Sequence, residues 1–192
     1  MKDTLKRPTI DQLDAEISRR KYKTDLRKTI LSIVRLLIVV SAVTVLLAVL
    51  WMPILRMYGE SMSPTLKDTD VVVTVKTGNL KDGEIVAFYY NNKILVKRVI
   101  ATGGETVNID DSGVVYVDGT AITEPYLTDT VTLKGNITYP CEVPEGYAFV
   151  LGDNRAVSMD SRYSELGLVS VDQIVGRAVV RIWPIDEIGI VE

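Results

Sequence analysis

Glu84-Ile85-Val86-Ala87-Phe88-Tyr89-Tyr90-Asn91-Asn92-Lys93-Ile94-Leu95-Val96-Lys97-Arg98-Val99-Ile100 reads as two strands around a turn. β-Branched and aromatic residues crowd both arms, 84–89 and 94–100. Asn91-Asn92 is a turn-forming pair close enough to each arm for a hairpin. The same texture extends in both directions. Residues 71–75, 114–117, 147–151 and 178–182 are further short β-branched runs. Asp82-Gly83, Asp111-Ser112-Gly113 and Asp118-Gly119 punctuate the chain between such runs, and Asp82-Gly83 is expected to close a second hairpin. No long helical period follows residue 60, and there is no repeat or low-complexity tract. The expected fold is a mainly β domain, with residues 104–142 as a hairpin-rich insertion.

Upstream of that domain the character changes. Residues 36–55 form an uncharged, largely apolar run of twenty, about 30 Å as a helix, which matches the hydrocarbon thickness of a bilayer. Arg35 precedes it and is placed at the inner boundary, where its side chain can snorkel to the headgroups. Trp51 is placed at the outer interface. Arg19, Arg20, Lys21, Lys23, Arg27 and Lys28 crowd the N-terminal flank, so the positive-inside rule puts the N-terminus in the cytosol and the β domain outside. A cleaved secretory leader fits less well, because the apolar stretch is long and no small-x-small site follows it closely. The expected organisation is a cytoplasmic arm at 1–28, a transmembrane helix at 29–55 and an extracytoplasmic domain at 56–192. Ile10, Leu13 and Ile17 stand at helical spacing in the arm, as in a solvated helix leading to the span.

Composition narrows the chemistry. The 192 residues include no histidine, which removes Ser-His-Asp and Cys-His mechanisms and histidine-ligated zinc together. Cys141 is the one cysteine; with no partner for a disulfide and no histidine, it reads as a small half-buried residue. The net charge of −3 is uneven: residues 1–35 hold ten Lys/Arg and five Asp/Glu, residues 56–192 twelve and twenty. A main body that acidic is unsuited to nucleic acid.

Lys97 is unusual because strand alternation puts Leu95, Lys97 and Val99 on one face, a lysine between two aliphatics. An exposed strand with a solvated lysine would explain it. So would a lysine held in apolar surroundings with a lowered pKa, able to serve as an amine base. Such a base can activate a serine hydroxyl. Ser61 lies in Gly59-Glu60-Ser61-Met62-Ser63-Pro64-Thr65-Leu66, a turn whose backbone N–H groups could face an oxyanion. A third stretch, residues 151–162, sets Asp153, Arg155, Asp160 and Arg162 beside Ser158, Ser161 and Gly152. It suits a solvated loop or a buried polar network equally.

Together these stretches resemble the type I signal peptidases. Gly59-x-Ser61-Met62-x-Pro64-Thr65 is similar to the family's serine box. Asp82-Gly83-Glu84-Ile85-Val86 and Lys97-Arg98-Val99-Ile100 resemble its next two boxes. Gly152-Asp153-Asn154-Arg155-x-x-Ser158-x-Asp160-Ser161-Arg162 resembles the last. The resemblance covers residues 30–185, and the compact length and single span look like the Gram-positive type. It implies a signal-peptidase or self-cleaving-repressor-like β fold, with Ser61 as nucleophile and Lys97 as base. Ser158 would orient the Lys97 amine, and Asp153, Asp160, Arg98 and Arg162 would form ion-pair support. Met57, Met62, Leu66, Leu95 and Val96 would lie at the small substrate pockets. Implied partners are the signal peptides of exported precursors, cut after Ala-x-Ala ends, and the lipid bilayer; no metal or cofactor is implied.

Two departures stand out. Ala156-Val157 replaces the family's Asp-Asn, which is expected to alter a loop and leave the chemistry in place. Gly59 stands where some members carry a serine that donates to the oxyanion, so Gly59→Ser is expected to be tolerated or mildly activating. A non-cleaving or dedicated pilin or surface-assembly homologue would lack the Ser-Lys pair. A self-cleaving regulator would need a sensor or DNA-binding domain that 28 residues before the span cannot supply. Ser61 lies six residues beyond Leu55, a reach of at most about 20 Å, which keeps the nucleophile near the bilayer surface.

Overall fold

A computed structural model describes residues 9–127 and 133–191. The chain divides into two compact units, Met1–Ala48 and Val49–Glu192. From Ile10 on, the described residues of the first form one helix, α1 (Ile10–Trp51, 42 residues), about 63 Å long at 1.5 Å per residue. Its start is fixed by Gln12, whose Oε1 accepts the Thr9 N–H at 3.2 Å, one half of a capping box. The hydroxyls of Thr24, Thr29 and Thr44 donate to the carbonyls four residues back at 2.8–2.9 Å. The helix therefore presents none of these three as an unpaired polar group. It is long and apolar enough to cross a membrane. It runs unbroken through residue 28, so arm and span differ in composition and share one helical backbone.

The expected span continues to residue 55, but the helix ends at Trp51 and Ile54–Arg56 is a strand. Pro53 explains the difference, since it offers no N–H to a helical turn and disfavours helix at Met52 before it. The Trp51 side chain lies outside the described residues.

The second unit is built of antiparallel strands. They are β1 (Ile54–Arg56), β2 (Val71–Val75), β3 (Ile85–Tyr90), β4 (Lys93–Thr102), β5 (Thr106–Ile109) and β6 (Val115–Val117), followed by β7 (Thr120–Ala121), β8 (Cys141–Glu142), β9 (Tyr147–Leu151), β10 (Val169–Ser170), β11 (Ile174–Trp183) and β12 (Gly189–Ile190). The larger sheet runs β1-β2-β11-β3-β4-β9-β10, with β12 on β11; the smaller runs β7-β6-β5-β8. The smaller sheet draws its strands from residues 106–121 and 141–142, inside the stretch 104–142, of which residues 128–132 lie outside the described residues.

The β3–β4 hairpin is the one the sequence predicts. Tyr90 pairs with Lys93 across a two-residue turn, and Asn91 and Asn92 have φ of 44° and 62°, the doubly positive backbone of a turn that matches strand twist. Asp82-Gly83 closes no hairpin. β11 lies between β2 and β3, so the turn instead points Gly83 at β4, its N–H on the Val99 carbonyl at 2.8 Å.

β3 and β9 are buried along four consecutive residues each, because both faces of the large sheet are covered. On one face Met57, Met62, Leu66, Val72, Ile85, Ala87, Val96 and Ala178 pack together. Val86, Phe88, Val99, Ala148 and Val150 pack in another cluster. Ile100, Ala101, Phe149 and Leu151 meet Val107, Ile109 and Val115 of the small sheet in a third. The site-bearing middle of β4 lies among all three.

Candidate active site

Ser61 sits on the loop between β1 and β2, and the loop is pinned by its apolar residues. Met62 and Leu66 are 1% and 0% exposed, with a turn between them closed by the Leu66 N–H on the Met62 carbonyl at 2.8 Å. Gly59 has φ +84° and donates its N–H to Asp68 Oδ1 at 2.8 Å. That bond occupies the Gly59 N–H and leaves the Ser61 N–H as the nearer candidate for an oxyanion donor. The Ser61 carbonyl accepts the Asn154 N–H at 3.1 Å, tying the serine loop to the Gly152–Asn154 turn.

Lys97 lies mid-way along β4, opposite Val86, and is 3% exposed. Its Nζ donates to Ser61 Oγ at 2.8 Å and to the Val96 carbonyl at 3.0 Å. Burial lowers the amine from its ordinary 10.5 to about 8, against an upward pull from Asp160 and Asp153. Lys97 is therefore buried, and not the solvated lysine of an exposed strand. Leu95 and Val99 pack in one cluster, as the alternation predicts.

Behind the pair lies a layer of ion pairs, so residues 151–162 are a buried network and not a solvated loop. Arg98 grips Asp153 with Nε–Oδ1 at 2.9 Å and Nη2–Oδ2 at 2.7 Å, a bidentate fork. Its Nη1 reaches the Gly83 carbonyl at 2.8 Å. Thr65 donates to the same carboxylate at 2.5 Å, a contact the sequence reading missed. Arg162 holds Asp160 through Nε at 2.8 Å and Nη2 at 3.0 Å, and Asp160 accepts the Gly152 N–H at 3.0 Å. Ala156 and Val157 are exposed, so their departure from the family pattern changes the outside of the turn and none of these bonds.

Ser158 departs from its expected role in one respect. It is buried beside the site, but its Oγ has no hydrogen-bond partner among the described residues, and the expected bond to Lys97 is not made. A side chain on Gly152 would collide with Ser158 Oγ and Cβ and come within 2.5 Å of the Ser61 carbonyl oxygen. Glycine is therefore required there by crowding.

A cleft of about 720 Å³ opens from the pair, lined by Met57, Tyr58, Leu95 and Val96, with Ser61 and Lys97 in its wall. Three of the five expected pocket residues line it. Met62 and Leu66 do not; they are fully buried beside Met57 and Val96 in the core cluster, because the turn between them directs both inward. The groups found nowhere in the sequence reading are Glu124 and Tyr126, which contact Arg155 and Arg98. An acidic residue beside Pro125 and an aromatic was the only local sign of them.

Comparison with known proteins points to one family. The family model described as signal peptidase, peptidase S26, matches residues 27–183. Signal peptidase IB of Staphylococcus aureus strain COL is 42% identical over 149 residues, covering 67% of this chain and 76% of that protein. Signal peptidase I T of Bacillus subtilis is 40% identical over 143 residues, 67% of this chain and 72% of its own length. The crystal structure of a signal peptidase I from Enterococcus faecalis is similar at 32% identity and TM-score 0.44, covering 52% of this chain and 96% of that one. The match runs from inside the apolar helix to the end of β11, through every stretch that builds the cleft and its ion-pair layer, and the chain belongs to the signal peptidase family, peptidase S26.

Proposed function

We propose that this chain is a Ser-Lys endopeptidase that removes signal peptides from exported precursors after small-x-small ends, anchored by α1 with its N-terminus in the cytosol. The observation that carries the reading is the 2.8 Å approach of Lys97 Nζ to Ser61 Oγ at a buried lysine. In the neutral form the amine takes the Ser61 proton as Oγ attacks the scissile carbonyl. The oxyanion forms near the Ser61 N–H. The ammonium then gives its proton to the departing amine, and the acyl group remains on Ser61. Lys97, neutral again, takes a proton from water as that water attacks the ester, and the ammonium returns a proton to Ser61 Oγ as the ester breaks and the signal peptide leaves. Arg98, Asp153, Asp160 and Arg162 hold the backbone behind this exchange. Ser158 Oγ, buried beside Gly152 and making no hydrogen bond among the described residues, is left to take up a bond to the amine during the cycle. The apolar walls at Met57, Leu95 and Val96 suit an alanine side chain on either side of an extended substrate.

The placement of the membrane and the two sides rests on the charge asymmetry about residues 36–55 and on the positive-inside rule. Ser61→Ala and Lys97→Ala should each abolish cleavage of a precursor ending its leader in Ala-x-Ala while the proteins stay folded. The double variant should be little worse than either single one, as for residues that act as a unit. A Lys97→Ala protein that keeps more than about a tenth of the wild-type rate would end the dyad reading.

A further inference from the structure

Arg155 takes no part in the proton transfer, yet it is held as firmly as the groups that do. Its side chain is 4% exposed and that of its partner Glu124 is 8% exposed. The two meet in a fork, Nη1–Oε2 at 3.2 Å and Nη2–Oε1 in closer contact. The Arg155 Nε donates to the Gly152 carbonyl at 3.2 Å. Glu124 Oε1 also accepts the Tyr126 hydroxyl at 2.7 Å, and the Tyr126 ring stacks on the Arg98 guanidinium, 3.9 Å from ring centre to Cζ. Burial, then the Glu124 charge, push the Tyr126 hydroxyl well above its ordinary pKa, so it stays a donor. One short piece of chain, Glu124-Pro125-Tyr126, thus grips the arginines on both sides of the Gly152–Asn154 turn.

That turn is where the site tolerates least movement. The Asn154 N–H holds the Ser61 carbonyl, Asp153 holds Arg98 and Thr65, and Gly152 touches both Ser158 and Ser61 with no room for a methyl group. We propose that Glu124 and Tyr126 are positioning residues of the peptidase, gripping Arg155 and Arg98 so that the turn stays pressed against Ser61 and water stays away from Lys97. The inference rests on the Ser61–Lys97 reading above. A buried ion pair is weak evidence for stability, because well-packed apolar residues of similar volume often serve as well. This one is bonded to the backbone of the catalytic turn, which gives it a positional role.

The test uses full-length protein in detergent and a peptide with an Ala-x-Ala cleavage site. Glu124→Ala should lower kcat about tenfold to a hundredfold, the scale of a lost hydrogen bond to a charged group, with KM changed less than about twofold. The half-rise pH of kcat/KM should move up from about 8 toward the ordinary lysine value, because a loosened turn admits water. Glu124→Gln, which keeps an acceptor and removes the charge, should fall between; if the alanine variant does not fold, it decides the matter. Glu124→Ala/Arg155→Ala should be no worse than the worse single variant. Tyr126→Phe, which keeps the stack and loses the bond to Glu124, should fall between wild type and Glu124→Ala, and Tyr126→Leu should resemble Glu124→Ala. Full kcat with an unmoved half-rise pH in Glu124→Ala overturns the proposal and leaves the dyad reading standing. So does a loss of rate that only follows loss of folded protein, with the pH profile unmoved. Failure of the wild-type protein to cut the peptide, or cutting that survives in Ser61→Ala, overturns the reading beneath it.

Discussion

Lys97 and Arg98 are neighbours on β4, each 3% exposed, yet their surroundings are opposite. Arg98 has a carboxylate in a bidentate fork. The nearest partners of Lys97 are a hydroxyl and a carbonyl, and no salt bridge is formed by it among the described residues. Burial with a counter-ion keeps a cation charged, whereas burial without one favours its neutral form. The strand thus separates two tasks over one residue step. In the function proposed above, Arg98 is the rigid support, and Lys97 is left short of compensation so that it can exchange a proton. Guanidinium suits the first because it does not deprotonate, and a primary amine suits the second because it can.

Removing the counter-ion from Arg98 should have the largest effect on folding. Asp153→Asn removes the carboxylate charge that Arg98 grips and should cost about 3–5 kcal/mol of stability, read as a lowered denaturant midpoint. A change under about 1 kcal/mol would mean that the two cations are solvated alike and would break the comparison.

Lys97→Met should do the reverse in a pH-dependent way, while abolishing activity. The folded-state pKa, about 8, lies below the ordinary 10.5, so the folded protein binds fewer protons than the unfolded chain between those values. The cost of burying the ammonium is fully present below pH 8 and fades as pH rises through 10.5. At pH 7 the variant should be more stable than wild type by up to about 3 kcal/mol, with the difference gone near pH 10.5. Equal unfolding curves at pH 7 would show that Lys97 bears no desolvation penalty.

Activity should report the same group. The plot of log kcat/KM should rise with pH and level off with a half-rise near 8, since the free enzyme must hold the amine neutral. A rate flat from about pH 5 to 9 would argue that a different group is the base.

The smallest effect belongs to Gly59, where open space argues for tolerance of a serine and a positive φ against activation. A Cβ at Gly59 would meet nothing within 4 Å, but φ is +84°. Gly59→Ser should therefore lose about 1 kcal/mol to backbone strain and gain no rate. A faster enzyme would mean that the new hydroxyl reaches the oxyanion after all.

What the sequence made legible was local. The β3–β4 hairpin follows from β-branched runs about Asn91-Asn92, and β2 and β9 match their expected bounds. β1, β7, β8, β10 and β12 are two or three residues long, too short to show a period of two. Asp82-Gly83 misled because a turn's residues cannot say which later strand will come to lie beside them. Ser61 and Lys97 stood out through boxes whose order and spacing resemble those of this family. Glu124 and Tyr126 were missed because the arginines they contact are 28 or more residues away along the chain.

The position of β11 also sets the order in which this protease comes into being. Ser61 and Lys97 are synthesised early, but β2 and β3 do not pair with each other; both pair with residues 174–183. Thr65 and Asp153, one of the bonds behind the serine, are 88 residues apart. Such distant pairings must close long loops before they gain any contact energy, and they form slowly. In the function and topology proposed above, Ser61 and Lys97 therefore reach the far side of the membrane before the strand that completes their sheet. The nascent chain carries an unassembled protease past other nascent chains, and cutting can begin only after its own last long strand has docked.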